Sequence, residues 1–261
     1  MLELYHWEPN TFFLKALVTL KEARAEFTSR YFDPTTFAQF TPDFPRNVES
    51  ALQLEREGPL LVKDGTVISS SFFLCEYVAE AFPQAGLLPA AAYDRYRTRA
   101  WGQYLALQLG PGVCALGCVK YLAPLLARRS KAELSAQLAR IEPIERRNAW
   151  SALIDGSYDA AGIAAILERL KAPVKRIEEA LGRSAWLAGA SYSIADIDAY
   201  AMLSVLPDLA PELASAAATP RISKFLQTVG QRPAVREALA MSRTGKPHEA
   251  FVPGVEPSRW G

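Results

Sequence analysis

Gly58-Pro-Leu-Leu-Val-Lys-Asp-Gly-Thr-Val-Ile-Ser-Ser-Ser-Phe-Phe-Leu-Cys-Glu-Tyr-Val-Ala-Glu-Ala-Phe-Pro83 reads as strand, tight turn, strand and helix. Leu60 to Val62 is a short apolar run. Asp64-Gly65 is a two-residue hairpin signal. Thr66-Val67-Ile68 is β-branched and returns antiparallel. Ser69, Ser70 and Ser71 then place hydroxyls where a helix must start, and such groups cap orphan N–H donors. Leu74, Tyr77, Val78, Ala81 and Phe82 fall at helical spacing, and Pro83 ends the run.

Upstream, Leu2, Leu4 and His6 alternate with Glu3, Tyr5 and Trp7, a first strand of about five residues. Glu8-Pro9-Asn10-Thr11 is a turn that ends in capping residues. Phe13, Leu14, Leu17, Val18 and Leu20 make a helical stripe that continues to about Ala25. Phe27 to Phe32 is a second strand. A β-α-β order predicts parallel pairing through a right-handed crossover. Residues 33–57 hold Pro34, Pro42 and Pro45 and read as loop, with one short helix over 47–57. The order β-α-β-α-β-β-α is thioredoxin-like.

Downstream of a linker at Gly86–Pro89 the period-2 signal disappears. Tyr93 to Ala127 reads as one long helix, or as two broken near Gly110-Pro111-Gly112. Ser130-x-x-Glu133 has the form of a capping box opening a helix to about Ala152, with Pro143 kinking it. A further helix, about 158–182, contains Pro173 as a kink or break. Ser193-Ile-Ala-Asp196 is a second capping box, with Tyr192 and Ile197 as its hydrophobic staple. It opens a helix over 193–206 rich in Ala, Ile, Tyr and Leu, and so expected to be buried. Thr219-Pro220 and Arg232-Pro233 start two more helices. The tail 242–261 is expected to be irregular, and the sequence leaves open whether it covers a cleft.

Composition narrows the function. The 261 residues are 50% hydrophobic with a formal net charge of +1, enough apolar content for a sizeable core. The balance gives no electrostatic case for nucleic acid or an anionic membrane. Met1-Leu2-Glu3-Leu4-Tyr5 lacks a basic region and a long apolar core, so no signal peptide is expected. No run of about 18 uncharged apolar residues suggests a membrane span. A cytoplasmic protein is the expectation. The three cysteines, Cys75, Cys114 and Cys118, do not form a secreted disulfide framework. With only His6 and His248 besides, no metal site is expected.

The layout resembles the glutathione S-transferase superfamily. A thioredoxin-like α/β domain (1–85) leads through a linker to an all-helical domain (90–261). Trp186-Leu-Ala-Gly-Ala-Ser-Tyr-Ser-Ile-Ala-Asp-Ile-Asp198, Thr219-Pro220 and Gln231-Arg-Pro-Ala-Val235 are similar to that family's C-terminal half. Leu14-Lys15, Phe32-Asp-Pro-Thr35, Val67 to Tyr77 with Ala81-Phe-Pro83, and above all Ile141-Glu-Pro-Ile-Glu-Arg-Arg-Asn-Ala-Trp150 resemble the bacterial β-etherases. Those enzymes use glutathione to cleave β-aryl ethers of lignin-derived aromatic dimers. The resemblance implies glutathione as co-substrate, an aromatic ether as substrate and a dimer. It implies glutathione binding by Gly58, Pro59, Ser70 and Ser71, with Pro59 in a cis peptide. An apolar substrate wall would come from Phe12, Phe13, Tyr96, Trp101 and Tyr104.

The chemistry needs a thiolate, and a free thiol has a pKa near 8.5. A hydrogen-bond donor and a helix N-terminus beside the sulfur favour the charged form. Similar β-etherases carry an Asn-Ser pair just before Leu-Lys. Here Phe12 and Phe13 stand there, and phenyl rings cannot donate. Asn10, Thr11 and Tyr5 are the nearest polar groups, with Thr11 best placed and Asn10 next. The family's acidic-hydroxyl pair is matched by Ser70-Ser71, so the carboxylate that would meet the glutathione ammonium is missing. Losing such a bond costs roughly 1.5–3 kcal/mol. Gly58 stands where Val is usual. His6 and Cys75 are read as structural, and Arg95, Arg97 and Arg99 as a solvated or dimer-facing surface. Three functions follow as expectations. One is a weakly catalytic or non-catalytic subunit of a β-etherase heterodimer, another an active transferase using Thr11 or Asn10, the third a binder of aromatic ligands.

Overall fold

Four short strands make one sheet in the order β2-β1-β3-β4, in a computed structural model that describes residues 1–45, 58–142 and 144–254. The strands are β1 (Leu2–His6), β2 (Thr28–Tyr31), β3 (Leu60–Lys63) and β4 (Thr66–Ile68). β1 pairs parallel with β2 and antiparallel with β3, as the β-α-β and β-β signals require. At the hairpin Asp64 and Gly65 both take positive φ, 50° and 85°, the geometry that matches strand twist. The helix expected over 47–57, Pro143 and the last seven tail residues lie outside the described residues.

Helix α1 (Thr11–Glu22) is the hub. It packs on α2 (Ser71–Ala81), and on two helices from the far end of the chain introduced below, Ile194–Leu203 and Pro233–Leu239. A helix covered on so many sides buries polar residues too, and Lys15 and Thr19 are among them.

The second half is helical: α3 (Ala92–Leu126), α4 (Lys131–Leu138), α5 (Ile144–Ile154), α6 (Ala160–Leu181), α7 (Ile194–Leu203), α8 (Pro220–Gly230) and α9 (Pro233–Leu239). Two expectations are corrected here. The Ser130 hydroxyl makes no capping bond, and the Glu133 carboxylate is engaged by Arg129. The helix it opens stops at Leu138, and a separate helix begins at Ile144.

The proline positions resolve into continuity. α3 does not break at Pro111. It widens into π turns at Leu105–Leu109 and Cys118–Leu122, each followed within two residues by a proline, Pro111 and Pro124. A π turn accommodates the missing N–H and the ring clash without ending the helix. α6 likewise runs uninterrupted through Pro173. By length and composition α3 could cross a membrane, but 56% of its apolar window is buried inside the protein, as in a core helix.

The box at Ser193 forms as expected. Ser193 Oγ accepts from the Ala195 amide, and Asp196 accepts from the Ser193 amide. The helix it starts is shorter than expected, ending at Leu203, and every residue of it is buried.

The Ile141–Trp150 motif has a structural task. Trp150 packs at a tilt of 46° against Phe37 in the turn after β2, with ring centroids 4.6 Å apart, and Arg147 binds the Ile141 carbonyl. Arg146 reaches the Pro253 carbonyl at 3.0 Å.

Candidate functional site at the start of helix α1

Asn10 is the extended N-cap of α1, with φ −139° and ψ 150°. Its Oδ1 accepts from the Thr11 amide at 3.1 Å, and its Nδ2 donates to the Ala250 carbonyl at 2.9 Å. Both ends of the amide are therefore engaged. Thr11 has a left-handed φ of 41°, uncommon outside glycine and a mark of strain. Both residues are 2% exposed.

Phe13 is buried in a small cluster with Trp7, Ala250 and Val252, while Phe12 is half-buried at its edge. The Phe13 ring meets Trp7 and Phe32 edge to face, at 6.4 and 6.0 Å. This cluster explains Gly58. A Cβ there would sit 3.1 Å from Phe13 and 3.2 Å from Phe32, on a backbone with φ 77°. The rings thus fill the space that a side chain at position 58 needs, and the glycine and the phenylalanine are one coupled change.

The Gly58-Pro59 peptide is cis. Ser70, before α2, has φ 66° and ψ 116°, and its hydroxyl makes no capping bond. Capping was the expectation for these serines; an N-cap needs the extended conformation that Ser70 does not have. A non-glycine residue held at such an angle is a hint of function. Ser71, the first helical residue, is 6% exposed.

The substrate-wall residues divide. Trp101 and Tyr104 meet edge to face at 5.7 Å and line a groove with Arg97, Ala100, Arg176 and Arg183. Arg176 lies 4.8 Å over the Tyr104 ring. Among the described residues, those lining this groove come from α3, α6 and the turn after α6. Tyr96 is 63% exposed and outside the groove lining.

Sequence reasoning missed Glu8, taken only as a turn residue. It is fully buried, and Tyr31 Oη donates to it at 2.7 Å. Ser242 Oγ, the amides of Arg243 and Thr244, and Thr244 Oγ1 donate to the same carboxylate. Burial pushes the carboxyl up, but these bonds outweigh it and hold it below the usual carboxylate value. A lone acidic residue before Pro9 carries no signal of a partner more than 230 positions away. His6 is a satisfied core histidine, bound to the Trp7 carbonyl and to Ser29 Oγ, both at 2.7 Å. Burial lowers its pKa.

All three thiols are buried, and burial pushes Cys75 up to about 12. A disulfide reagent such as DTNB is therefore expected to leave the native protein unlabelled and to report three thiols in guanidinium. Fast labelling of Cys75 in the native state would contradict its placement.

The four-stranded mixed sheet at the N-terminal end and the helical region that follows define the architecture. Residues 141–233 match the model of the "Glutathione S-transferase, C-terminal domain" family. Over 248 residues the chain is 26% identical to the protein LigF of Sphingobium sp. strain NBRC 103272 / SYK-6, covering 93% of this chain and 94% of LigF. The crystal structure of the β-etherase LigF superposes with a TM-score of 0.84 at 26% identity, over 92% of this chain and 99% of LigF. The glutathione S-transferase GstA of Escherichia coli O157:H7 is 24% identical over 69% of this chain and 71% of its own. A glutathione transferase homologue from Sulfitobacter, crystallised with glutathione, shares the fold at 21% identity and a TM-score of 0.63, covering 91% of this chain and 96% of that one. The chain has the glutathione transferase fold, its residues 141–233 match that family's C-terminal domain, and in sequence and structure it is similar to the β-etherase LigF.

Proposed function

We propose that this chain is a subunit of a glutathione-dependent β-etherase and is itself non-catalytic or weakly catalytic. Its catalytic partner would be a related transferase chain, in a cytoplasmic heterodimer that acts on β-aryl ethers of lignin-derived aromatic dimers. In that reaction the thiolate sulfur attacks the β carbon, the carbon–oxygen bond breaks, and the aryloxide leaves with the electron pair. The division at 85–90 into a glutathione-type domain and a helical domain is part of the same reading.

One observation carries it: the frame for glutathione is kept while the thiol end is closed. The left-handed Ser70 backbone and the Ser71 hydroxyl at the start of α2 support binding of the peptide part. At the other end Phe13 is core, both ends of the Asn10 amide are engaged, and Thr11 is buried. With phenyl rings at 12 and 13 and the Asn10 amide engaged, the chain is expected to lower a thiol pKa less than a transferase with a free side-chain donor there, leaving the helix N-terminus as the main favourable influence.

Calorimetric titration of glutathione into the purified chain tests this. Missing the acidic anchor, it is expected to bind roughly ten- to a hundredfold more weakly than a transferase with an acidic-hydroxyl pair. Alone it is expected to leave an aryl ether intact, and to be recovered from its native source with a second transferase chain. Ether cleavage by the lone chain, abolished by Thr11→Ala, would overturn the subunit reading in favour of a stand-alone transferase. Aromatic-dimer binding indifferent to glutathione would favour a binding protein.

A further inference from the structure

We propose that residues 242–254 form a strap that closes the start of α1 and competes with ligand for it. The proposal rests on reading that end as the place of the glutathione thiol.

The strap is fastened at three points. Its first turn, Ser242–Thr244, delivers four donors to the buried Glu8, and the Arg243 guanidinium lies 4.1 Å over the Tyr31 ring. Its middle gives the Ala250 carbonyl to Asn10 and Val252 to the Trp7–Phe13 cluster. Its far end gives the Pro253 carbonyl to Arg146. Phe251 fills a slot in α3, where it stacks parallel to Tyr121 at 6.1 Å; a Cβ on Gly117 would lie 2.2 Å from the Phe251 ring.

Between these points the strap has one 3-10 turn, Pro247–Glu249, and no strand pairing. It can lift without breaking a sheet or helix ladder. What it covers suits a different occupant. The first turn of α1 contains no acidic residue, and only an uncharged carbonyl meets its cap. A helix N-terminus favours negative charge, so a thiolate is the better partner once the strap is away. A site open only a fraction of the time shows an affinity reduced by that fraction.

The test uses the full chain carrying Thr11→Cys, labelled with DTNB. The native cysteines are buried, so the introduced thiol reports the start of α1, and labelling of Cys75 would flag unfolding. With the strap intact, labelling is expected to be slow. Adding Gly117→Val, which takes the slot of Phe251, or Glu8→Gln, which removes the charge that holds Ser242–Thr244, is expected to speed it about tenfold or more. Hydrogen exchange over 242–254 should rise in the same variants. Equal labelling rates in all three proteins overturn the strap as a gate, whether or not glutathione binds. Glutathione sulfonate, an anionic analogue with no thiol to consume the reagent, is then added before the reagent. Protection confined to the opened variants supports competition for one site. Faster labelling with no protection overturns competition and the glutathione reading together, while the gate stands on the rates. Equal protection in open and closed proteins overturns competition but leaves glutathione binding in place.

Discussion

Lys15→Met is expected to destabilise the protein by roughly 3–5 kcal/mol, the cost of leaving a buried charge without its partner. Lys15 on α1 and Asp198 on α7 form an ion pair at 2.8 Å, with side chains 2% and 3% exposed. It joins the β/α part of the chain to its most buried helix. The second oxygen, Asp198 Oδ2, has no partner among the described residues, so Lys15 is the visible compensation for that charge. The Phe12 ring, 5.4 Å from Lys15 Nζ, adds a weaker contact. Asp198→Leu should cost a similar amount by stranding the ammonium. The double variant Lys15→Met/Asp198→Leu should recover most of the loss, because two apolar side chains of similar volume avoid the desolvation of both charges. Denaturant melts of the four proteins measure the coupling. If each single change costs less than about 1 kcal/mol, the pair behaves as a hydrated surface bridge and the argument fails.

Asp196→Ala is the second large effect, roughly 3 kcal/mol or more. Asp196 Oδ1 accepts from the Leu187 amide at 2.8 Å, and Oδ2 accepts from the Ser193 amide at 2.9 Å and Ser193 Oγ at 3.1 Å. Removing the carboxylate strands two buried N–H groups at about 1–3 kcal/mol each, besides the lost cap. The expected order of cost is Ser193→Ala, then Asp196→Asn, then Asp196→Ala. An Asp196→Ala protein as stable as Ser193→Ala would contradict the accounting. A pH dependence accompanies it. Burial pushes Asp196 up to about 6, against the pull of these hydrogen bonds. A raised acid pKa means that the native state holds a proton the unfolded chain has released. The stability linked to this group is therefore complete below about 3.8 and lost as pH rises through about 6. Asp196→Asn should flatten the stability profile across that window.

Much of the fold was legible, because its signals are local. Asp64-Gly65 states a turn in two residues, and Ser193 with Asp196 states a helix start in four. The errors have the same local origin. Ser130-x-x-Glu133 has the right letters, but Arg129 takes the carboxylate. Pro111 looked like a possible break because nothing in the sequence announces a π turn that absorbs it. The candidate site was legible only as a departure. Phe12 and Phe13 told of a missing donor, but not that Phe13 and Gly58 share one space. Trp101 and Tyr104 were grouped with Phe12 and Phe13 by likeness, and the structure shows the first two lining a groove with Arg97, Ala100, Arg176 and Arg183.

By itself the sequence determined the four strands with α1 and α2 between and after them, the hairpin and the box at Ser193, since each depends on residues within a few positions of one another. The tertiary structure alone decided the pairing of Lys15 with Asp198, 183 residues apart, and of Asn10 with Ala250, 240 apart. It alone set four donors from 242–244 on Glu8 and packed Gly58, at the head of the opening stretch, against the Phe13 ring. The reason is physical: buried polar groups take whatever partner packing brings to them, and no short-range periodicity records which one that is.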